Sequence, residues 1–299
     1  MIAVIGSNNV DIVLRVRHFT LPGETQKSEE LRFFPGGKGA NQAVASKRLG
    51  ADIYFLSCVG NDANGQFITG KLKDEGLEEH LVPTNVPNGV AVIEVTRSGE
   101  NRIVIYSGAN AHLTEELVNS KREELLKADF LLLQNEIPFA ANLVAAKLFK
   151  DAGKFVIFDP APATEIGDEI SKYVDIITPN EEEAKAIAKA DMSPKALVDA
   201  LLKMGFGNVL LKLGSKGGIF KGELGSFDFR AFEVNTVDST AAGDAFNGAL
   251  ATALNRKMDI KEAVKFASAA AAISVTRQGA QPSLPYLDEV ISFLSEVKK

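Results

Sequence analysis

One cysteine, no tryptophan, three histidines and no long apolar run: what this 299-residue chain lacks narrows its possibilities first. Cys58 stands alone, so no disulfide can close within the chain, and its place in the apolar run Ile53–Val59 reads as core. His18, His80 and His112 are scattered without metal-ligand spacing, which argues against structural zinc. No stretch approaches the roughly 18–20 apolar residues of a membrane span. The opening Met1-Ile2-Ala3-Val4-Ile5 runs directly into a strand pattern with no basic start, so the expectation is a cytoplasmic protein. The formal net charge is −6 and no basic stripe is present, which argues against binding nucleic acid through its phosphates. An acidic chain can still hold a small anion where a few lysines and main-chain N–H groups converge. No G-x-G-x-x-G occurs, so the strand and glycine at the start carry little weight as a dinucleotide site.

What is present is a rhythm of short apolar runs and helical patterns. Strands are expected at Ile2–Ile5, Ile53–Val59, Phe130–Leu133, Phe155–Phe158, Ile176–Thr178, Val209–Leu213 and Ile219–Lys221. Helices are expected at Ala40–Leu49, Gly65–Glu75, Phe139–Asp151, Asn180–Ala188, Pro194–Met204, Ala241–Leu254, Ile260–Val275 and about Pro285–Val297. Continuous apolar strands separated by helices imply a doubly wound, mostly parallel α/β sheet with helices on both faces. Two regions break the rhythm, about 11–34 and about 88–107. The first holds two extended stretches around Leu21-Pro22-Gly23, and the second alternates on either side of Ser98-Gly99-Glu100-Asn101 as a hairpin does. Together they read as a small antiparallel β lid inserted in one α/β domain spanning 1–299.

The most informative stretch is Asp238-Ser239-Thr240-Ala241-Ala242-Gly243-Asp244, small residues directly before an apolar helix. A helix start leaves N–H groups unpaired at the positive end of the dipole, and Ala or Gly leaves them uncovered for an anion. A carboxylate there, Asp244, can accept a proton from a hydroxyl attacking a bound phosphate. The bland alternative is that Asp238 and Thr240 simply cap the helix. Pro35-Gly36-Gly37-Lys38-Gly39-Ala40-Asn41-Gln42 is a glycine-rich loop entering a helix, and it is not a Walker A loop. Asn8-Asn9-Val10-Asp11 follows the first strand, where open α/β sheets bind ligands, although Asx residues also favour turns there. Thr178-Pro179-Asn180-Glu181-Glu182-Glu183 fits a capping box, and it also fits a pair facing Mg²⁺-bound waters. Leu211 to Gly218 reads either as a turn around a nucleotide or as a plain turn between strands. Ser274 to Ser283 is rich in oxygens that suit a monovalent cation, and equally fits a helix C-cap with Gly279.

In this order, GGKGANQA, TPNEEEA, DSTAAGDAF and VTRQGAQPS resemble the ribokinase/fructokinase family of sugar kinases, from Gly6 to Pro285. The last segment and the Asn41-Gln42 pair lean toward the ribose-phosphorylating members. The resemblance implies Asp244 as general base, with Ala241, Ala242 and Gly243 as the anion hole. It implies sugar contacts from Asn9, Asp11, Gly37, Lys38, Asn41, Glu136 and Asp244. ATP contacts would come from Asn180, Glu183, Lys212, Gly214, Ser215, Gly217, Gly243 and Ser268. Glu183 would reach Mg²⁺ through water. Asp238, Thr240, Ser274, Arg277, Gly279 and Ser283 match a K⁺ site, mostly through main-chain oxygens. A homodimer joined through the lid is also implied. Ser239 departs from the more usual Thr or Val, and Lys212 from a common small hydroxyl residue, so Lys212 either alters nucleotide contacts or points to solvent.

The expected activity is ATP-dependent phosphorylation of ribose at the 5-hydroxyl. Its rivals are the same chemistry on deoxyribose, fructose, a keto-deoxy sugar acid or a nucleoside, and a non-catalytic sugar or nucleotide sensor.

Overall fold

The computed structural model of the chain describes residues 1–163 and 166–296. The strands are β1 (Ile2–Ile5), β2 (Asn9–Val16), β3 (Glu30–Gly36), β4 (Ile53–Gly60), β5 (Leu81–Thr84), β6 (Gly89–Thr96), β7 (Asn101–Tyr106), β8 (Phe130–Gln134), β9 (Phe155–Asp159), β10 (Ile176–Ile177), β11 (Asn208–Lys212), β12 (Gly218–Gly222) and β13 (Gly225–Phe229). The helices are α1 (Lys38–Arg48), α2 (Ala63–Asp74), α3 (Glu115–Ser120), α4 (Arg122–Leu125), α5 (Phe139–Asp151), α6 (Glu181–Ala188), α7 (Pro194–Lys203), α8 (Ala242–Asn255), α9 (Ile260–Ser274) and α10 (Leu287–Glu296). The last helix was expected from about Pro285 to Val297; Val297 lies outside the described residues.

Nine strands form one sheet, in the order β13-β12-β11-β10-β9-β8-β1-β4-β5. It is parallel from β11 to β5, and β12 and β13 close it as an antiparallel hairpin. Alternation along β1 splits the core. Ala3 and Ile5 pack with Phe149 of α5 and Leu197 of α7, while Ile2 and Val4 pack with Val44 of α1 and Leu72 of α2. All of these side chains are buried, which is why the central strands read as unbroken apolar runs. The chain leaves β1 for β4 on one side and later returns to β8 on the other. That makes a switch point, and in such sheets the crevice for ligands opens beyond the carboxyl ends of the strands.

The second sheet has four strands in the order β3-β2-β6-β7. Each expected hairpin, β2/β3 and β6/β7, is antiparallel. The two hairpins join through a parallel β2/β6 pair. The reason is directional: β2 continues outward from the carboxyl end of β1, and β6 does the same after β5, whose partner β4 runs parallel to β1. Strand β5, sequence LVPT, was not expected. It lies at the sheet edge, where Pro83 lacks only a hydrogen bond that an edge strand does not need.

Candidate active site

Helix α8 starts without a side-chain cap: Ala241 holds the N-cap position in the left-handed region, at φ 59°. The capping alternative for Asp238 and Thr240 does not hold. Asp238 Oδ1 accepts from Thr240 N at 2.9 Å and Thr240 Oγ1 at 2.6 Å, and its Oδ2 accepts from Gly279 N at 2.9 Å. Ala242 N–H donates to the Ser239 carbonyl at 3.2 Å. The bare amides therefore centre on Gly243 and Asp244, which have no intrahelical partner in the first turn. Among the described residues outside its own helix and chain neighbours, a Cβ built on Gly243 would meet only Lys212 Nζ, at 3.6 Å, so the helix start stands open.

Asp244 is 5% exposed and held at both oxygens. Asn41 Nδ2 donates to Oδ2 at 2.9 Å and Gln42 Nε2 to Oδ1 at 3.0 Å. Burial raises the Asp244 carboxyl above its usual range and Asp159 adds to the rise. Lys38, Asn41 and Gln42 oppose it. Burial alone would lower the Lys38 ammonium. Asp244, Asp159, Glu136 and Glu183 reverse that and hold it above its ordinary range.

The expected sugar-side residues gather beside this carboxylate. Gly37 has φ 87°, and a Cβ there would fall 2.6 Å from Asn8 Cα, so only glycine lets the loop lie on the turn after β1. Lys38 N and Ser7 Oγ donate to Glu136 Oε2 at 2.9 and 2.5 Å, which ties the loop to the end of β8. Asn9 Oδ1 accepts from Asn110 Nδ2 at 2.8 Å, which fixes the buried Asn9 side chain. Burial, then Glu136 and Asp244, push the Asp11 carboxyl up to about 7. Asn41 Oδ1 is buried with no hydrogen-bond partner among the described residues, an acceptor open for a hydroxyl.

On the other side of Asp244 lies a cleft of about 730 Å³. Asn180, Glu183, Lys212, Gly214, Ser215, Gly217 and Ser268 all line it, with Lys38 and residues 241–244. Asn180 and Glu183 form a full capping box: Glu183 N donates to Asn180 Oδ1 and Asn180 N to Glu183 Oε2, each at 2.8 Å. Burial raises the Glu183 carboxyl, and Asp159 adds to the rise. Lys212 turns into the cleft: its Nζ meets Asp159 Oδ1 at 3.1 Å and the side chain is 17% exposed. The Asp238 loop also reaches the segment after α9. Val237 N and Asp238 N both donate to the Val275 carbonyl, at 2.7 and 3.2 Å. The Arg277 guanidinium turns away to Glu289, at 2.5 Å, so only the main chain of Arg277 is left to face a cation. Ser283 Oγ donates to the Ala280 carbonyl at 2.7 Å, and Ser274 Oγ to that of Ala271 at 2.9 Å.

Residues 1–287 match the family described as pfkB family carbohydrate kinase. The chain belongs to that family. The kinase is 40% identical over 299 residues to a ribokinase of Haemophilus influenzae, covering 98% of each chain. It is 36% identical over 297 residues to a ribokinase of Staphylococcus aureus, covering 97% of this chain and 98% of the relative. A solved ribokinase of Thermotoga maritima superposes with a TM-score of 0.92 at 46% identity, over 98% of this chain and 99% of that one. An Arabidopsis thaliana ribokinase solved with ribose and ATP gives 0.89 at 33% identity, over 98% of both.

Three residues of this kinase's site escaped the sequence reading. Asp159, buried at the end of β9, meets Lys212 and, through Oδ2 at 2.9 Å, Gln42. Gln42 was seen only as part of a motif, and Ser7 not at all. Asp159 did carry a signal, a carboxylate closing an apolar strand on the ligand-binding edge. Among the described residues, no helix is long and apolar enough to cross a membrane.

Proposed function

We propose that this chain phosphorylates ribose at its 5-hydroxyl with ATP, Asp244 acting as the base. One observation carries the reading: a single buried carboxylate borders both the sugar-side residues and the open amides of the nucleotide cleft. The sugar would sit against Asn9, Asp11, Gly37, Lys38, Asn41 and Glu136, a polar set suited to a polyhydroxylated ligand. The triphosphate would lie along Lys212 and the turn of Gly214, Ser215 and Gly217, with the adenine toward Ser268. Asp244 takes the proton as the hydroxyl attacks the γ-phosphate in line, and the α8 amides meet the growing charge. The ligand-bound relative and the similarity to ribokinases support ribose as the acceptor.

Mg²⁺ fits beside Asn180 and Glu183, because Glu183 and Asp159 repel each other across the cleft and a divalent ion relieves that. Held there, it would supply positive charge to offset that of the phosphates. K⁺ fits between the Asp238–Thr240 loop and residues 274–283, where Asp238, Thr240, Ser274 and Ser283 and the main chain of Arg277 and Gly279 offer only oxygen ligands. Ordering the Asp238 loop would order the α8 start that follows it.

We take the small sheet as the lid of a single kinase domain and as its dimer surface. Phe33, Ile12, Val92 and Val104 form a row across all four strands, and Phe33 and Val104 are 51% and 67% exposed. A second copy would cover that row and both sheet edges. A cytoplasmic location suits such a kinase.

The deciding experiment is an ADP-release assay across ribose, deoxyribose, fructose, keto-deoxy sugar acids and nucleosides, with and without K⁺, on the wild-type protein and Asp244→Asn. Ribose should give the highest kcat/KM, and the variant should bind ribose but lose roughly 100- to 10,000-fold in turnover. Near wild-type turnover in the variant rejects Asp244 as base, and no ADP release with any sugar favours a sensor.

A further inference from the structure

Gln42 is fully buried on α1, between two carboxylates from distant parts of the chain. Its Nε2 donates to Asp244 Oδ1 at 3.0 Å and to Asp159 Oδ2 at 2.9 Å. Its Oε1 accepts from Gln134 Nε2 at 2.8 Å. A primary amide carries two N–H protons, and here each has its own acceptor. Turned over, the amide would present its oxygen to two carboxylates, so the acids themselves dictate its orientation. The neighbouring Asn41 takes the other oxygen of Asp244. Two consecutive residues of one helix thus grip both oxygens of one carboxylate. That grip fixes the plane of the group and the lone pairs it can offer to an incoming hydroxyl.

Building on the reading of Asp244 as the base, we propose that Gln42 is a positioning residue for phosphoryl transfer: anchored on Asp159 and Gln134, its amide holds the Asp244 carboxylate in the orientation and the ionised form that proton abstraction requires. The arrangement answers a specific difficulty. Asp159 lies close enough to raise the Asp244 carboxyl, and burial raises it further. An uncharged group donating to both acids lets them sit near each other without sharing a proton. The charged groups facing Asp244 are Lys38 from α1, Asp159 from β9 and Asp11 from β2, with Lys212 of β11 beside the neighbouring Gly243. Lys38, Asn41 and Gln42 oppose the rise in Asp244. Loss of the Gln42 bond therefore moves protonation of Asp244 to higher pH.

The test is the pH profile of kcat for the full chain at saturating ribose and ATP, in wild type, Gln42→Met, Gln42→Glu and Asp244→Asn. Methionine keeps the length of the side chain and lacks both N–H groups. Its acid limb should move up by about one pH unit, so that turnover on that limb falls about tenfold and recovers at higher pH. KM for ribose and for ATP should stay within about threefold, because Gln42 acts through Asp244 and not on either substrate. Gln42→Glu, similar in shape, brings a third carboxyl and should shift the limb further the same way. An acid limb at the wild-type position in the variants overturns the proposal, whatever their plateau turnover. So does a rise in KM with an unmoved profile. If Gln42→Met does not fold, Gln42→Glu carries the same test. Gln134→Met, which keeps both donor bonds and frees only Oε1, should give a smaller shift in the same direction, and no shift there counts against the anchoring role. If Asp244→Asn retains turnover, the base reading fails and this inference falls with it. If Asp244→Asn is inactive and the Gln42 profiles are unmoved, only the positioning role fails.

Discussion

Helices α6 and α8 both begin at the cleft, yet α6 is closed by its own side chains and α8 is left open. At α6, Asn180 and Glu183 satisfy each other's backbone N–H groups and put a carboxylate at the rim. At α8, the N-cap is an alanine in a left-handed conformation that places no side chain over the first turn. Local stability favours the first arrangement, since a cap contributes about 1 kcal/mol. The second forgoes that and leaves amide hydrogens for an anion. The two helix starts therefore give the cleft a cation-seeking wall and an anion-seeking wall, and the proposed function matches them to a divalent ion and to the phosphates of ATP.

The strongest way to break this contrast is to cover the open start. Gly243→Val puts a branched side chain over the amides, and outside its own helix and chain neighbours the new Cβ meets, among the described residues, only Lys212 Nζ within 4 Å, so the helix itself should tolerate it. Turnover should fall roughly 100- to 1,000-fold, the loss seen when one donor to a developing anion is removed. The thermal midpoint should change little. An active Gly243→Val enzyme would mean that the phosphoryl group does not lie on α8.

Next is the cation between the two walls. Lys212→Met removes the ammonium that meets Asp159 and borders Gly243. A hydrogen bond to a charged group contributes about 1.5–3 kcal/mol, so KM for ATP should rise roughly tenfold or more while KM for ribose stays close to wild type. Equal effects on both substrates would show that Lys212 supports the fold around Asp159 and does not hold phosphate.

The contrast also shows what was legible in the sequence. The α6 box was readable because its partners lie three residues apart, and the open α8 start because Ala-Ala-Gly-Asp is contiguous. The body strands were readable because burial on both faces writes unbroken apolar runs. The Gln42 bonds to Asp159 and Asp244 span 117 and 202 residues, and no local pattern announces them. The parallel β2/β6 junction was hidden for the same reason, since each hairpin reveals its own pairing and says nothing of its neighbour. Edge strand β5 was missed because half-burial and a proline erase the alternation that marks a strand. Asp238 was read as a possible cap; in the fold its second oxygen is taken by Gly279, a contact 41 residues away.

A smaller effect is expected at the closed start. Asn180→Ala removes one half of the box and should lower stability by about 1 kcal/mol, which is roughly 1–2 °C in thermal midpoint for a chain of this size. Glu183 would then lose the amide contact at Asn180 Nδ2, 2.8 Å away, so the Mg²⁺ needed for half-maximal turnover should also change. A midpoint shift without any change in Mg²⁺ dependence would reduce the pair to a plain cap.

The smallest effect should have the opposite sign. Ala241 sits at φ 59° and ψ 11°, where an L residue with a Cβ is strained by about 1–2 kcal/mol. Glycine removes that strain but gives back about 0.5–1 kcal/mol of backbone entropy, so Ala241→Gly should stabilise the chain by about 0.5 kcal/mol. Turnover should not improve with it. The strained alanine holds the turn before the amides in one conformation, and a freer glycine lets the anion site relax when no phosphate is bound. Alanine at 241 then reads as rigidity kept at the expense of stability, the reverse of the bargain at α6. Melting temperature and kcat measured on the same preparation decide it: a higher midpoint with equal or better turnover would mean that the left-handed alanine contributes nothing to the anion site.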